Sequence, residues 1–245
     1  MTALAMLEPV MKSKKVAIVQ SNYIPWKGYF DLIQKVDEFI LLDSVQYTRR
    51  DWRNRNRIKS REGVIWLTIP VKVTGKYFQS IRETEVSDPS WAEQHWVKLK
   101  LAYGKAPYFP TYSARLEALY DKASTFQLLS EVNFLFLTEL CKILEISTKI
   151  TIDSHYQSSG AKTERLVSLC QGAGATEYLS GPAAQDYLLP NLFNDVGIQL
   201  SWMDYAGYPE YSQLYPPFDH SVSILDLLFQ TGPEAKRYFQ RGPGS

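Results

Sequence analysis

Short β-branched apolar runs alternate along this chain with stretches whose apolar residues recur at helical spacing, and that alternation constrains the fold most. Residues 16–20 (V-A-I-V-Q) predict a buried strand. Pro25 then suits a first helical turn, and Trp26, Tyr29, Phe30, Leu32 and Ile33 follow at helical spacing. Residues 38–43 (E-F-I-L-L-D) are a second strand ending in an acid. A β-α-β order favours a parallel pair joined by a right-handed crossover. Residues 65–71 predict a third strand, with Pro70 placing its end near a sheet edge and 80–86 as an antiparallel partner. Helices are expected at 91–102 and, longest, at 125–146. The alternation then returns, with strands at 149–153, 177–180 and 199–204 and helices at 163–170, 183–193 and 225–229. The sum is an α/β fold: a doubly wound, mainly parallel sheet, Rossmann-like or nucleotidyltransferase-like, in a three-layer sandwich with a helical insertion over 91–146. One domain covers 15–239, and 1–14 and 240–245 are expected to be disordered or tag-derived. Such sheets bind ligands beyond the carboxyl ends of their strands, here the loops 20–25, 43–61, 153–160 and 180–186.

At 45% hydrophobic and 22% charged, the 245 residues can build a substantial core. No apolar run is long enough to span a membrane, and the first ten residues lack the basic start and cleavage site of a signal peptide. Cys141 and Cys170 lie in apolar helical patterns and read as buried free thiols of a reducing compartment, although the sequence leaves a disulfide open. A cytoplasmic protein without membrane insertion is the expectation. His95, His155 and His220 show no ligand spacing and CxxC is absent, so no metal site is expected.

The net charge is only +1, yet residues 45–61 carry Arg49, Arg50, Arg53, Arg55, Arg57, Lys59 and Arg61 against one acid, Asp51. Guanidinium groups fork onto phosphate, and the interleaved Trp52, Asn54 and Asn56 add a ring and mixed hydrogen-bonding groups. This block reads as the phosphate end of a small-molecule site. A nucleic-acid patch is disfavoured because the basic residues are confined to one segment of a near-neutral chain.

The loop after the first strand offers Gln20, Asn22, Tyr23, Trp26 and Gly28, a polar helix entrance able to meet a phosphate. An ordinary strand-to-helix loop explains it equally well. It is not a P-loop, and the HxGH of nucleotidyltransferases is missing. Asp43 at a strand end, followed by Gln46 and Tyr47, could hold a sugar hydroxyl, orient an amine or bind magnesium. His95 and His155 are the alternative general bases, and Ser180-Gly181 with Asp186 and Tyr187 form a last polar turn.

At 20–30 (Q-S-N-Y-I-P-W-K-G-Y-F), 43–47 (D-S-V-Q-Y) and 50–59 (R-D-W-R-N-R-N-R-I-K) the chain resembles the WbqC-like family, and 178–181 (Y-L-S-G) with Tyr187 fits the same pattern. The resemblance covers about 15–239. Members occur in gene clusters for bacterial surface polysaccharides such as O-antigens, some of which make amino-sugars bearing glycyl or other acyl groups. The resemblance therefore implies a role in building or decorating a nucleotide-linked sugar. The expected activity is N-acylation of such an amino-sugar, with Arg49, Arg50, Arg53, Arg55 and Arg57 as a diphosphate clamp. Gln20, Asn22 and Asp43 would orient substrate, and His95 or His155 would take the amine proton. ATP with magnesium would serve if the donor is a free amino acid. Two alternatives are a nucleotidyl or phosphoryl transferase and a non-catalytic nucleic-acid binder. The sequence leaves the oligomeric state open, a dimer included.

Overall fold

The computed structural model describes residues 13–240 of the chain. The expectations for residues 1–12 and 241–245 lie outside the described residues. Five strands form one parallel sheet: β1 (Lys15–Val19), β2 (Glu38–Leu41), β5 (Lys149–Ile152), β6 (Glu177–Ser180) and β7 (Gln199–Trp202). Their order, β5-β2-β1-β6-β7, means that the chain winds outward from β1 to β2 and β5. It then returns to the other side of β1 to lay down β6 and β7. The winding reverses between β1 and β6, as in a dinucleotide-fold sheet.

Alternation along each strand serves the two faces. Ala17, Phe39 and Leu41 join a core with helix α1 (Lys27–Gln34) and the insertion, whereas Val16, Ile18, Ile40 and Leu42 meet α5 (Thr163–Gly172) and Phe193 of α6 (Pro190–Asn194). All four residues of β2 are buried, as a strand covered on both faces requires. The doubly wound α/β reading is correct. At the start of β2 the buried Glu38 carboxylate pairs with Lys14 at 2.7 Å and Lys149 at 3.2 Å, and it accepts from Thr151 at 2.8 Å. Among the described residues no helix is long and apolar enough to cross a membrane.

Four elements differ from expectation. Residues 55–60, read as loop, are the strand β3 (Arg55–Ser60), which pairs antiparallel with β4 (Gly63–Thr68) in a separate two-stranded sheet. The partner of the third predicted strand is thus β3; residues 80–86 pair with it through an isolated bridge from Val86 to Val71. The insertion holds α2 (Trp91–Tyr103), an unforeseen α3 (Phe109–Ala123) and α4 (Leu129–Ile143). Helix α3 escaped notice because its buried residues are few: Leu116, Leu119, Tyr120 and Ala123. The helix expected at 183–193 is a 3-10 turn, Pro182–Asp186, followed by α6, because Pro190 can open a helix but not continue one. Helix α7 (Ile224–Thr231), capped by Ser223, packs into the same core as the insertion, and a 3-10 segment, Gly232–Tyr238, follows it.

Candidate functional site

Strand β1 runs out into Gln20, Ser21 and Asn22, beside the point where the winding reverses. The Ser21 amide donates to Asp43 Oδ1 at 2.9 Å, which fixes the carboxylate beyond β2. Beyond β5, Asp153 accepts from the Ser44 amide at 3.1 Å and pairs with Arg82. Asn133 of α4 clamps the same edge from above, donating to Ser21 Oγ at 3.0 Å and to the Arg53 carbonyl at 2.9 Å. The Arg53 guanidinium lies among Asn22 Oδ1, Gln20 Oε1 (3.2 Å) and Asp51 (3.5 Å). Three strand ends thus converge on two neighbouring carboxylates, Asp43 and Asp153, flanked by the guanidiniums of Arg53 and Arg82. Burial raises the Asp43 pKa, the Ser21 hydrogen bonds oppose this, Asp153 adds to it and Arg53 subtracts.

Two cavities open along this edge. The larger, about 710 Å³, is lined by Asp43, Arg82, Ser154 and His155 on one side and by Phe126 and Phe134 on the other. A volume of this order suits a small organic ligand. The smaller, about 210 Å³, is lined by Asn22, Pro25, Trp26, Trp52, Asn56 and Ser221. Among the described residues no group of three His, Cys, Asp or Glu side chains is placed to hold a metal ion. The structure therefore brings Asp43 and His155 to one cavity, and Asn22, Trp26, Trp52 and Asn56 to the other.

The arginine block divides because β3 is a strand, in which alternate residues face opposite ways. Asn54 and Asn56 point inward. Asn54 Nδ2 donates to the Ile69 carbonyl at 2.8 Å, and Asn56 Nδ2 donates to both the Tyr23 and Ile24 carbonyls at 3.0 Å. Arg55 and Arg57 point outward. The Arg55 guanidinium lies 4.1 Å over the Trp66 ring, and Arg57 lies 5.9 Å from the Trp52 ring while donating to the Ser221 carbonyl. Arg49 donates to the Val73 carbonyl beside Tyr77, and Arg50 is exposed with φ 59°. Lys59 is buried, donating to Gln213 Oε1 at 3.0 Å. Of the five arginines expected to form one clamp, Arg53 alone reaches the sheet edge.

His95 lines neither cavity. Its Nε2 faces the Thr68 carbonyl at 3.2 Å and so carries the proton; Nδ1 accepts from Tyr23, whose oxygen accepts from Tyr120. His95 and Tyr23 lie in the core at 3% and 0% exposure, and Tyr23, like His95, lines neither cavity. Burial, with Lys98 adding to it, lowers the imidazole to about 3. Tyr47 is buried, its hydroxyl pushed up to about 12 chiefly by that burial, and the exposed Gln46 holds the Tyr77 carbonyl. Gly28 lies where a Cβ would enter the Trp26 indole, so its role is to seat that ring. Ser180 is buried, and its carbonyl pairs with Met203 of the segment after β7. Gly181 leaves room for the Tyr205 hydroxyl 3.8 Å from its Cβ position, and Asp186 and Tyr187 are exposed nearby in sequence. Sequence reasoning did not single out Arg82, Asp153, Asn133, Trp66 or Tyr205. Asp153 repeats the strand-ending acid of Asp43 and was open to discovery; a loop arginine such as Arg82 gives no signal.

The model of the WbqC-like protein family matches residues 20–238. Over 227 residues the chain is 49% identical to a Mycobacterium tuberculosis protein described as uncharacterized protein Rv1507c, covering 93% of this chain and 98% of that one. No solved structure matches the chain.

Proposed function

The chain belongs to the WbqC-like protein family, and from that premise we propose that it is a transferase of surface-polysaccharide sugar biosynthesis that acylates the amino group of a nucleotide-linked amino-sugar, glycine being one candidate acyl group. One observation carries the reading: the carboxyl ends of β1, β2 and β5 hold Arg53, Asp43 and Arg82 together, with His155 on the same cavity as Asp43. A guanidinium at that edge suits a diphosphate. A buried carboxylate and an exposed imidazole suit an amine that must be oriented and then deprotonated. In this scheme the substrate amine attacks the acyl carbonyl carbon. A C–N bond forms, the bond to the donor's leaving group breaks, and His155 takes the ammonium proton while Asp43 holds the amine in line. His95 has no part in it.

Thermal stabilisation tests the reading, since a ligand that binds only the folded state raises the melting temperature. The gain is about 2.7 kcal/mol at one hundred times Kd, roughly 5–10 °C for a chain of this size. UDP- or dTDP-linked amino-sugars are expected to stabilise the protein, and Arg53→Ala to lose most of that response. Stabilisation by ATP alone would move the protein to nucleotidyl or phosphoryl transfer, and by short DNA or RNA alone to polymer binding. A flat response to the whole set would remove the nucleotide site. In turnover assays His155→Ala is expected to lower kcat by roughly a hundredfold or more with little change in KM.

A further inference from the structure

The smaller cavity is built from two indoles that reach it from separate elements. Trp26 precedes α1 and is braced edge-on by Tyr205 and Tyr208, with ring centroids at 5.3 and 5.7 Å. Trp52 precedes β3 and is braced by Trp66 at 5.5 Å, with the rings tilted 37°. Trp52 and Trp66 are each 40% exposed, an unusual state for adjacent indoles in a chain with an ample core. Arg55 over Trp66 and Arg57 near both rings stiffen this pair from outside. Each indole thus has support on one side and the cavity on another. Between them lie Asn22, whose NH2 makes no hydrogen bond among the described residues, and Ser221. The cavity is less than a third the volume of the Asp43–His155 cavity, about 210 against 710 Å³, and suits a single ring system.

Asn22 also links the two cavities. Its Oδ1 meets Arg53, Arg53 meets Gln20, and the neighbouring Ser21 amide holds Asp43. We propose that the cavity between Trp26 and Trp52 is a nucleobase subsite: the base stacks on Trp52, its phosphates run past Asn22 to Arg53, and the sugar extends to Asp43 and His155. Ring, guanidinium and acid–base pair then follow one another in the order base, diphosphate, sugar. This inference rests on the nucleotide-sugar reading above. A planar π system explains the two electron-rich rings, and the amide and hydroxyl give the edge of a base its hydrogen-bond partners.

Calorimetric titration with UMP, dTMP, AMP, UDP, a UDP-linked amino-sugar and the free amino-sugar tests it on the wild type, Trp52→Ala and Trp52→Phe. Trp52→Ala is expected to weaken every nucleotide probe by roughly tenfold or more, and Trp52→Phe to restore most of the affinity. Both variants should keep the unliganded melting temperature within a few degrees, because the ring is exposed. If the UDP-linked sugar binds Trp52→Ala as tightly as the wild type, the subsite is wrong and the nucleotide-sugar reading stands. If mononucleotides bind through Trp52 and the sugar nucleotide gains nothing over them, the subsite stands and that reading falls. Weakening of the free amino-sugar alone would make this a carbohydrate site and overturn the inference.

Discussion

His95 makes the fold sensitive to acid. Burial holds its imidazole near 3 against an ordinary 6.5, with Lys98 adding to the shift and the Thr68 carbonyl opposing it. An unfolded chain takes up this proton as the pH falls through 6.5, and the folded chain refuses it until about 3. The contribution is therefore complete above the upper value and lost toward the lower one, at up to about 1.4 kcal/mol per pH unit. His95→Gln is expected to be less stable at neutral pH but to show a flatter dependence of its urea midpoint on pH across that window. A slope unchanged from the wild type would show that other groups set the acid limit. Glu38 acts lower on the scale. Burial raises its pKa, but hydrogen bonds from Lys14, Tyr156, Thr151 and Lys149 outweigh that and hold the carboxyl at about 2 from an ordinary 4.5. Its contribution is present above 4.5 and lost as the pH falls through 2.

At the scale of elements, β3 decides how the loop after β1 is held. Its inner row reads Asn56, Ile58 and Ser60, all buried, with the buried Asn54 just before it, and among the described residues Asn56 alone donates to the carbonyls of Tyr23 and Ile24. Ile24 sits at φ 35°, a costly conformation for a β-branched residue, so this loop depends on its anchor. Asn56→Ala is expected to cost about 2–3 kcal/mol in urea unfolding, since it leaves two buried carbonyls without a donor. Loss of under about 0.5 kcal/mol would mean that the loop relaxes to water. The same strand marks the limit of what sequence revealed. Strands β1 and β2 were legible because they hold unbroken apolar runs, V-A-I-V and F-I-L, and β5 (K-I-T-I) and β6 (E-Y-L-S) because short β-branched or aromatic runs lie between turn signals. In R-N-R-N-R-I-K-S the period of two was present, but its inner face is mostly polar and the charges pointed to a loop. The site divided likewise. Asp43 and His155 follow strand ends and were found from position, whereas Arg82 reaches Asp153 from a loop across 71 residues, a distance that local pattern cannot bridge.

Across the whole molecule, Asp226 of α7 ties the insertion to the segment after β7. Its carboxylate accepts from Tyr103 of α2 at 2.9 Å, from Tyr211 at 2.8 Å and from Gln213 at 2.9 Å, while the Tyr103 oxygen accepts from the Lys59 amide of β3. Asp226→Ala is expected to lose at least about 3 kcal/mol, because two buried hydroxyls, of Tyr103 and Tyr211, and the half-buried Gln213 amide lose their shared acceptor together. Chemical unfolding followed by both far-UV circular dichroism and tryptophan fluorescence would check it; a loss below about 1 kcal/mol would mean that the segment after β7 folds independently of α7. Arg53 has a consequence at this same scale. An arginine side chain carries about 2 kcal/mol of rotamer entropy, ordinarily surrendered when a ligand immobilises it. Folding has already immobilised this one between Gln20, Asn22 and Asp51, so an arriving anion meets a preformed receptor. Of those three holds the longest contact is to Asp51, at 3.5 Å. That carboxylate is a resident counter-ion for the guanidinium, and selectivity at the edge becomes a contest between it and each anion that would replace it.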